Sequence, residues 1–479
     1  MKFRVTTESL LAKIRDGAAM STREQVLLSV RLSVPAMLAQ LSSIVMQYID
    51  AAMVGRLGAD DAAAIGLVWP SLWLFGGLCS AVTAGFAVQV AHLIGAGRFA
   101  RARSVLRQAI VACSLVALAI TALGVAVSGP LPLWLGAHEG ITRQASAYFL
   151  VFILGIPFLM LEFLAGGMLR CSGNMRVPSL LNVLMCVLDV VFNFLFIFPT
   201  RHLVVCGHAV SVPGLGLGVT GAAMGTILAE VLVCLMMVWY LVVRSDVLRL
   251  TRDSGSYRPR RACVRRAFRI GAPIGLQHMI MNVAQVVLIA IVAPLGSVAI
   301  AANAFAVTAE SLCYMPGVGM EEAATTLVGQ SVGARRRYLA RRFAHITVGM
   351  GMAVMGVMGV LLYVGAPQVM ALMTPIREVA ALGVQVLRIE AFAEPLFAAS
   401  MVTYGVFVGA GDTLAPCWMN ALCIWVVRIT LAALLVGTMG LAGVWTAMCI
   451  ELCFRGLIFL ARLLSNRWLN AINMIDSTK

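Results

Sequence analysis

Long apolar runs, separated by short arginine-bearing segments, make up nearly the whole chain. A helix that crosses a bilayer needs about 20 consecutive apolar residues. Hydropathy divides the sequence into 12 such runs, near residues 27–54, 61–93, 99–127, 141–170, 178–199, 218–243, 265–292, 298–331, 338–365, 379–408, 416–437 and 442–463. They are continuous rather than alternating, which predicts helices and excludes a membrane β-barrel. Several exceed a minimal span, so tilts or kinks are expected, with Pro70, Pro157, Pro273, Pro316 and Pro395 as candidate kink points.

The pattern is duplicated. Residues 29–58, SVRLSVPAMLAQLSSIVMQYIDAAMVGRLG, return at 269–296 as RIGAPIGLQHMIMNVAQVVLIAIVAPLG. At one constant offset Arg31, Pro35, Leu57 and Gly58 meet Arg269, Pro273, Leu295 and Gly296. The same offset carries Gly95 onto Gly333, Pro157 onto Pro395, Gly173 onto Gly411 and Asn182 onto Asn420. An outer loop at 200–218 is extra in the first half, after which GVTGAA at 218–223 aligns with GLAGVW at 440–445. Six spans per half leave both halves in the same orientation, a parallel repeat about an axis along the membrane normal, as in transporters that alternate access. The chain therefore divides into an N-terminal arm (1–26), an N-lobe (27–243), a linker (244–264), a C-lobe (265–463) and a tail (464–479).

Composition agrees with an all-α integral membrane protein: 61% of residues are hydrophobic and 12% charged, where soluble proteins carry about 25% charged. The net charge of +15 comes from arginines in segments between spans. These cluster at 98–107, 244–269 and 335–342, whereas the alternate segments hold only Arg56, Arg143, Arg201 and Arg377. That asymmetry predicts both termini on the cytoplasmic side. It also makes the linker's arginines a solvated topology signal rather than a nucleic-acid site. The 12 cysteines include no CxxC pair and read as small core residues, not as a disulfide framework or zinc site.

Several chemistries are excluded. The only lysines are Lys2, Lys13 and Lys479, so the chain holds no GxxxxGK[ST] phosphate loop. A GxGxxG match at Gly216, Gly218 and Gly221 lies in an outer loop with no βαβ unit around it and is no dinucleotide site. There is no HExxH and no GxSxG, and none of the six histidines has a metal-binding partner at helical spacing. An ion gradient, not ATP, is the expected driver, and no cofactor is expected.

The carboxylates inside the spans carry the functional signal, because an ionisable group there is costly and usually functional. Asp50, Glu162, Asp189 and Glu230 lie in the first half, and Asn193 shares a helix face with Asp189. The repeat puts Leu288, Val427 and Leu431 where the first half has Asp50, Asp189 and Asn193. A scaffold requirement would recur in both copies, so the pair predicts an ion site between spans 1 and 5. A carboxyl facing a partly dehydrated cavity takes up a proton and releases it once opened to water; the same oxygens also suit sodium. In the second half Glu310, Glu390, Glu394, Arg428 and Glu451 lie within spans, with Glu390 and Glu394 on one face. A structural ion pair between Arg428 and one of these acids is expected. Glu321 and Glu322 face an inner vestibule or solvent, and His278, opposite Gln40 in the repeat, is a helix-packing histidine.

Taken together, these segments resemble the multidrug and toxic compound extrusion (MATE) family: PAMLAQL…QYIDAAMVGRLG in span 1, VAHLIGAGRFARARSVL after span 2, LRCSGNMRVPSLLN, VGAGDTLAPCWMN and GVTGAAMGT. The resemblance covers both halves and implies a 12-helix secondary transporter with two six-helix lobes around a central cavity. It implies export of small organic, often cationic, compounds in exchange for protons or sodium, from a bacterial inner membrane and by a monomer embedded in lipid. Asp50 falls on the family's helix-1 aspartate, Asp189 and Asn193 on its helix-5 polar pair, and Thr226 on a helix-6 polar position. No metal is implied beyond a sodium ion at Asp50 and Asp189. Tyr48, Asn182, Thr226, Glu162 and Glu230 are the expected polar residues of the substrate cavity. The acidic pair that another branch uses in helices 7 and 10 has no clean match, since span 7 offers only Gln277, His278, Asn282 and Gln285. Two other functions remain open: a lipid-linked saccharide flippase, which needs cavity arginines for pyrophosphate, and a membrane-embedded enzyme or channel.

Overall fold

The computed structural model describes residues 6–136, 139–205 and 208–470; the first five and last nine residues of the expected terminal arms, with their basic residues, lie outside these. Almost every apolar run is a helix. The first lobe contains α1 (Thr7–Arg15), α2 (Thr22–Gly55), α3 (Ala59–Gly95), α4 (Phe99–Val127), the short α5 (Leu131–Trp134), α6 (Glu139–Cys171), α7 (Arg176–Ile197) and α8 (Gly218–Trp239). The second contains α9 (Arg261–Val292), α10 (Ser297–Gly333), α11 (Arg337–Met373), α12 (Arg377–Glu390), α13 (Glu394–Ala410), α14 (Leu414–Leu422), α15 (Thr430–Met439) and α16 (Leu441–Leu464). Among the described residues 10 helices are long and apolar enough to cross a membrane, or 11 if the bent pair α12–α13 is one span. α16, the last of the apolar runs, is 24 residues long and carries Glu451, Arg455 and Arg462.

Three elements depart from the apolar pattern. The span expected at 379–408 breaks into α12 and α13, bent by 59°, so Glu390 and Glu394 end and begin different helices instead of sharing a face. Pro395 falls in the first turn of α13, where its missing N–H leaves no helical bond unmade; its repeat equivalent Pro157 lies inside the unbroken α6, so the proline permits the break without dictating it. The other four candidate prolines, with Pro35 and Pro367, sit inside continuous helices. The outer loop is a β-hairpin, β1 (Pro199–Val205) against β2 (His208–Leu215). α14 and α15 are joined by a π-helical stretch, Cys423–Ile429.

The linker does not float free. Leu248 and Leu250 are buried in the first lobe's core. Arg103 of α4 holds Asp253 at 2.5 Å and the Val247 carbonyl at 3.1 Å. Arg107 donates to the Leu250 and Asp253 carbonyls. The N-terminal arm is equally engaged: α1 buries Leu10, Leu11 and Ile14 among Leu28 and Leu32 of α2 and Leu327, Leu339 and Phe343 of the second lobe. Arg336 donates to the Lys13 and Ala18 carbonyls, each at 2.8 Å.

The lobes meet through α2 on α10 and α3 on α9, two contacts that the repeat interchanges. At the arginine-rich end they close in a symmetric clasp. A Cβ on Gly95 would lie 2.0 Å from the Gln330 carbonyl, and one on Gly333 would lie 2.0 Å from the His92 carbonyl. His92 and Gln330 are themselves repeat equivalents. The Nε2–H of His92 donates to the Gly409 carbonyl at 2.7 Å, and the Gln330 amide donates to the Cys171 carbonyl at 2.8 Å; Cys171 and Gly409 are equivalent too. Only one arm is titratable. Arg266 reaches His92 Nδ1 at 3.4 Å, and since a guanidinium only donates, the ring proton sits on Nε2.

Membrane side-chain hydrogen bonds average about 0.6 kcal/mol, so losing both clasp bonds (His92→Ala with Gln330→Ala) should raise the open fraction at this end several-fold. Gly333→Leu, which leaves no room for closure, should hold it open. Spin labels at Arg101 and Tyr338, one on each lobe, read the separation; an unchanged distance distribution in both variants would mean that something else holds this end shut.

Candidate functional site

The first-lobe site is assembled from α2, α7 and α8. Asp50 lies near the C-terminal end of α2, while Asp189 and Asn193 lie one turn apart on α7. The glycines of α8 let it approach: a Cβ on Gly225 would meet Asn193 Oδ1 at 2.2 Å, and one on Gly221 the Phe196 carbonyl at 2.5 Å. Asn193 Nδ2 then donates to both acids, at 3.0 Å to Asp50 Oδ1 and 3.2 Å to Asp189 Oδ2. The two carboxyls are close enough to repel each other, and Thr226 of α8 is a neighbour of Asp189. Asp189 is fully buried and Asn193 is 1% exposed, while Asp189 Oδ1 and Asn193 Oδ1 find no donor among the described residues. Two buried carboxylates served by one amide cannot both stay ionised, because an unpaired buried charge costs several kcal/mol. A proton or a small cation between their oxygens removes that cost.

Glu230 of α8 and Glu162 of α6 continue inward from this pair. Glu230 is within electrostatic reach of Asp189 and Glu162, and Glu162 of Arg170 and Glu322. Both are buried, and Glu230 Oε1 has no partner. Tyr48 donates across the lobes to the Thr308 carbonyl.

A central cavity of about 810 Å³ opens between the lobes, lined by α2, α3, α6, α9, α10, α13, the π stretch and α16. Tyr48, Asn182, Thr226, Glu162 and Glu230, expected in its wall, are not in it. Hydropathy places a polar residue on a span but does not say whether its face turns to the lobe's own interior or to the neighbouring lobe. Here Glu162, Glu230 and the ion-site trio face the interior. Gln40 and His278 do line the cavity, as do Glu310, Glu321, Glu322, Arg170, Arg428 and Arg455.

In the second lobe Arg428 pairs with Glu451, not with Glu390 or Glu394. Its Nε and Nη2 donate to Glu451 Oε2 at 3.0 and 2.7 Å. Arg455, one turn along α16, brings Nε to 3.1 Å from Glu451 Oε1. The i,i+4 spacing of Arg455 from Glu451 signals this pair in the sequence. Arg388 is exposed and stacks on Tyr363 at 5.2 Å. Glu390 and Glu394 are wholly buried, and none of their carboxyl oxygens has a hydrogen-bond partner among the described residues. Glu451→Ala should therefore leave two guanidiniums unanswered and cost about 3–5 kcal/mol, while Glu390→Gln, an isostere with no partner to lose, should change little. Thermal unfolding in detergent compares them, and equal melting points would refute this division.

The duplication has a counterpart among known proteins. The MatE family model matches the chain twice, at residues 35–195 and 273–434, once per half. A probable multidrug resistance protein NorM of Thermotoga maritima is 23% identical over 451 residues, covering 92% of each chain. One from Pseudomonas aeruginosa is 28% identical over 431 residues, covering 87% of this chain and 84% of its own. A multidrug resistance MATE transporter of the MOP superfamily, solved in an outward-facing conformation, superposes with a TM-score of 0.86 at 22% identity, over 98% of this chain and 99% of its own. A double match to one family model, on a two-lobed bundle of helices, leaves no other assignment: the chain belongs to the MatE family of multidrug and toxic compound extrusion transporters.

Proposed function

We propose that this protein is a secondary active exporter that exchanges small organic, often cationic, compounds for protons or sodium by alternating access of its two lobes. Asp50, Asp189 and Asn193 form the ion-coupling centre, with Thr226 beside it. The observation that carries the reading is the Asn193 amide bridging two acids in one copy of a repeat whose other copy has Leu288, Val427 and Leu431. Loading the ion neutralises the pair and lets α2 and α7 pack; releasing it leaves two like charges on either side of one amide, which strains the same contact. The centre lies behind the cavity wall, so it communicates with substrate through movement of α2, whose Gln40, Ser43 and Gln47 face the cavity.

The clasp belongs to one of the two alternating states. With the arginine-rich end cytoplasmic, by the positive-inside rule, both termini are cytoplasmic and this conformation is closed to the cytoplasm. The protein acts in a bacterial inner membrane as a monomer. A flippase reading is disfavoured because Arg170, Arg428 and Arg455, the cavity arginines, each sit against a carboxylate and are not free to grip a pyrophosphate.

Proteoliposomes loaded with ethidium test the proposal under a proton gradient alone and then a sodium gradient alone. Asp50→Asn and Asp189→Asn should each abolish gradient-driven export, because a neutral amide cannot release the ion, and the gradient that drives the wild type identifies that ion. Full export by both variants would remove the proposed centre.

A further inference from the structure

Nearly every charge in the cavity wall is answered by another. Arg170 lies 3.7 Å from Glu322, which also takes the Gln40 amide at 3.5 Å. Arg428 and Arg455 share Glu451, and Glu310 lies within electrostatic reach of Arg428. Glu321 differs: it lines the cavity, its carboxylate has no hydrogen bond or ion pair among the described residues, and the charged group nearest to it is another acid, Glu322, where Glu310 has Arg428.

Its position is built, not incidental. The stem of Glu321 crosses α13 at Gly405, where a Cβ would come within 2.7 Å of Glu321 Cγ and 2.5 Å of its carbonyl oxygen. Thr325 ties the same level together by donating to the Glu321 and Gly405 carbonyls, each at 2.9 Å. Tyr404, one residue before that glycine, also lines the cavity within electrostatic reach of Glu321, and its hydroxyl makes no hydrogen bond among the described residues. Met401 and Phe397 extend this wall along α13. The repeat supplies the control. Opposite Glu321 the first half has Thr83, also in the cavity wall, but its hydroxyl is spent on the Cys79 and Ser80 carbonyls of its own helix. The scaffold is satisfied by a neutral residue there, so the acid is not a packing requirement.

We propose that Glu321 is the carboxylate against which the positive group of a transported compound docks at the closed end of the cavity, with Tyr404 beside the charge and Met401 and Phe397 against the apolar body. The ligand class is a monovalent organic cation carrying an aromatic frame, held by one charge-assisted contact and by ring and thioether faces. This deepens the exporter reading and rests on it: Asp50 and Asp189 handle the coupling ion in one lobe, and Glu321 handles the substrate's charge in the other.

The test is equilibrium binding to the purified full-length protein, with ethidium as the cation and phenanthridine as an uncharged ring of the same frame. Glu321→Gln should weaken ethidium by roughly ten-fold or more and bring it toward phenanthridine, and Glu321→Asp should restore most of the difference. Ethidium binding unchanged in Glu321→Gln would overturn the proposal. Equal losses for ethidium and phenanthridine would overturn it too, since that marks a structural role. Wild-type protein that binds ethidium through Glu321 but exports it under neither gradient would sink the exporter reading and leave the docking site standing.

Discussion

A carboxylate inside a lipid-embedded helix bundle has three ways to exist: beside an arginine, with a proton, or with a bound cation. This constraint governs the protein's interior, because water is not available to stabilise a bare charge. Glu451 takes the first route, between Arg428 and Arg455. Asp50 and Asp189 have no arginine and share a single amide, which leaves them the second and third. The difference separates a structural ion pair from a site that loads and unloads. It is drawn by neighbours brought from other helices, not by the acids themselves.

The duplicated scaffold supplies what both copies need, and departures from it mark what only one copy does. The clasp is of the shared kind: Gly95 and Gly333, His92 and Gln330, Cys171 and Gly409 occupy equivalent places and make equivalent contacts. Carbonyl oxygens with a glycine against them permit the backbones to touch, and the two side-chain bonds are individually weak. A seal made of many small terms can open without a large barrier, as the proposed alternation requires. The Asp50–Asp189–Asn193 cluster and Glu321 are of the other kind, each present in one half and replaced by an apolar or self-satisfied residue in its twin.

These two asymmetries fall in opposite lobes. The Asp50–Asp189–Asn193 cluster lies behind the cavity wall in the first lobe, and the unpaired carboxylate faces the cavity in the second. α2 is the mechanical link between them, since it carries Asp50, presents Gln40 to Glu322 and packs along α10, which bears Glu321 and Glu322. In the proposed exchange, a change in the charge at Asp50 acts on the helix that borders the cavity, without ion and substrate sharing ligands.

Periodicity, apolar length and the internal repeat were enough to determine the spans, the two lobes, the asymmetric acids and the grouping of Asp50, Asp189 and Asn193, because membrane-crossing helices follow from local composition. The same features did not reveal that residues 379–408 bend at a break before Pro395, that the arm and linker dock onto the bundle, or that the outer loop pairs into a hairpin; these turn on contacts between distant segments. Which face of a helix meets which neighbour was likewise decided only by tertiary packing. That is why Arg428 found Glu451 rather than Glu390 or Glu394, and why Glu162 and Glu230 turned inward while Glu321 was left facing the cavity. Sequence fixes a residue's depth in the membrane, since depth follows from its place along a helix; its partners follow from how the helices rotate and tilt against each other, which depends on the whole set of side chains between them.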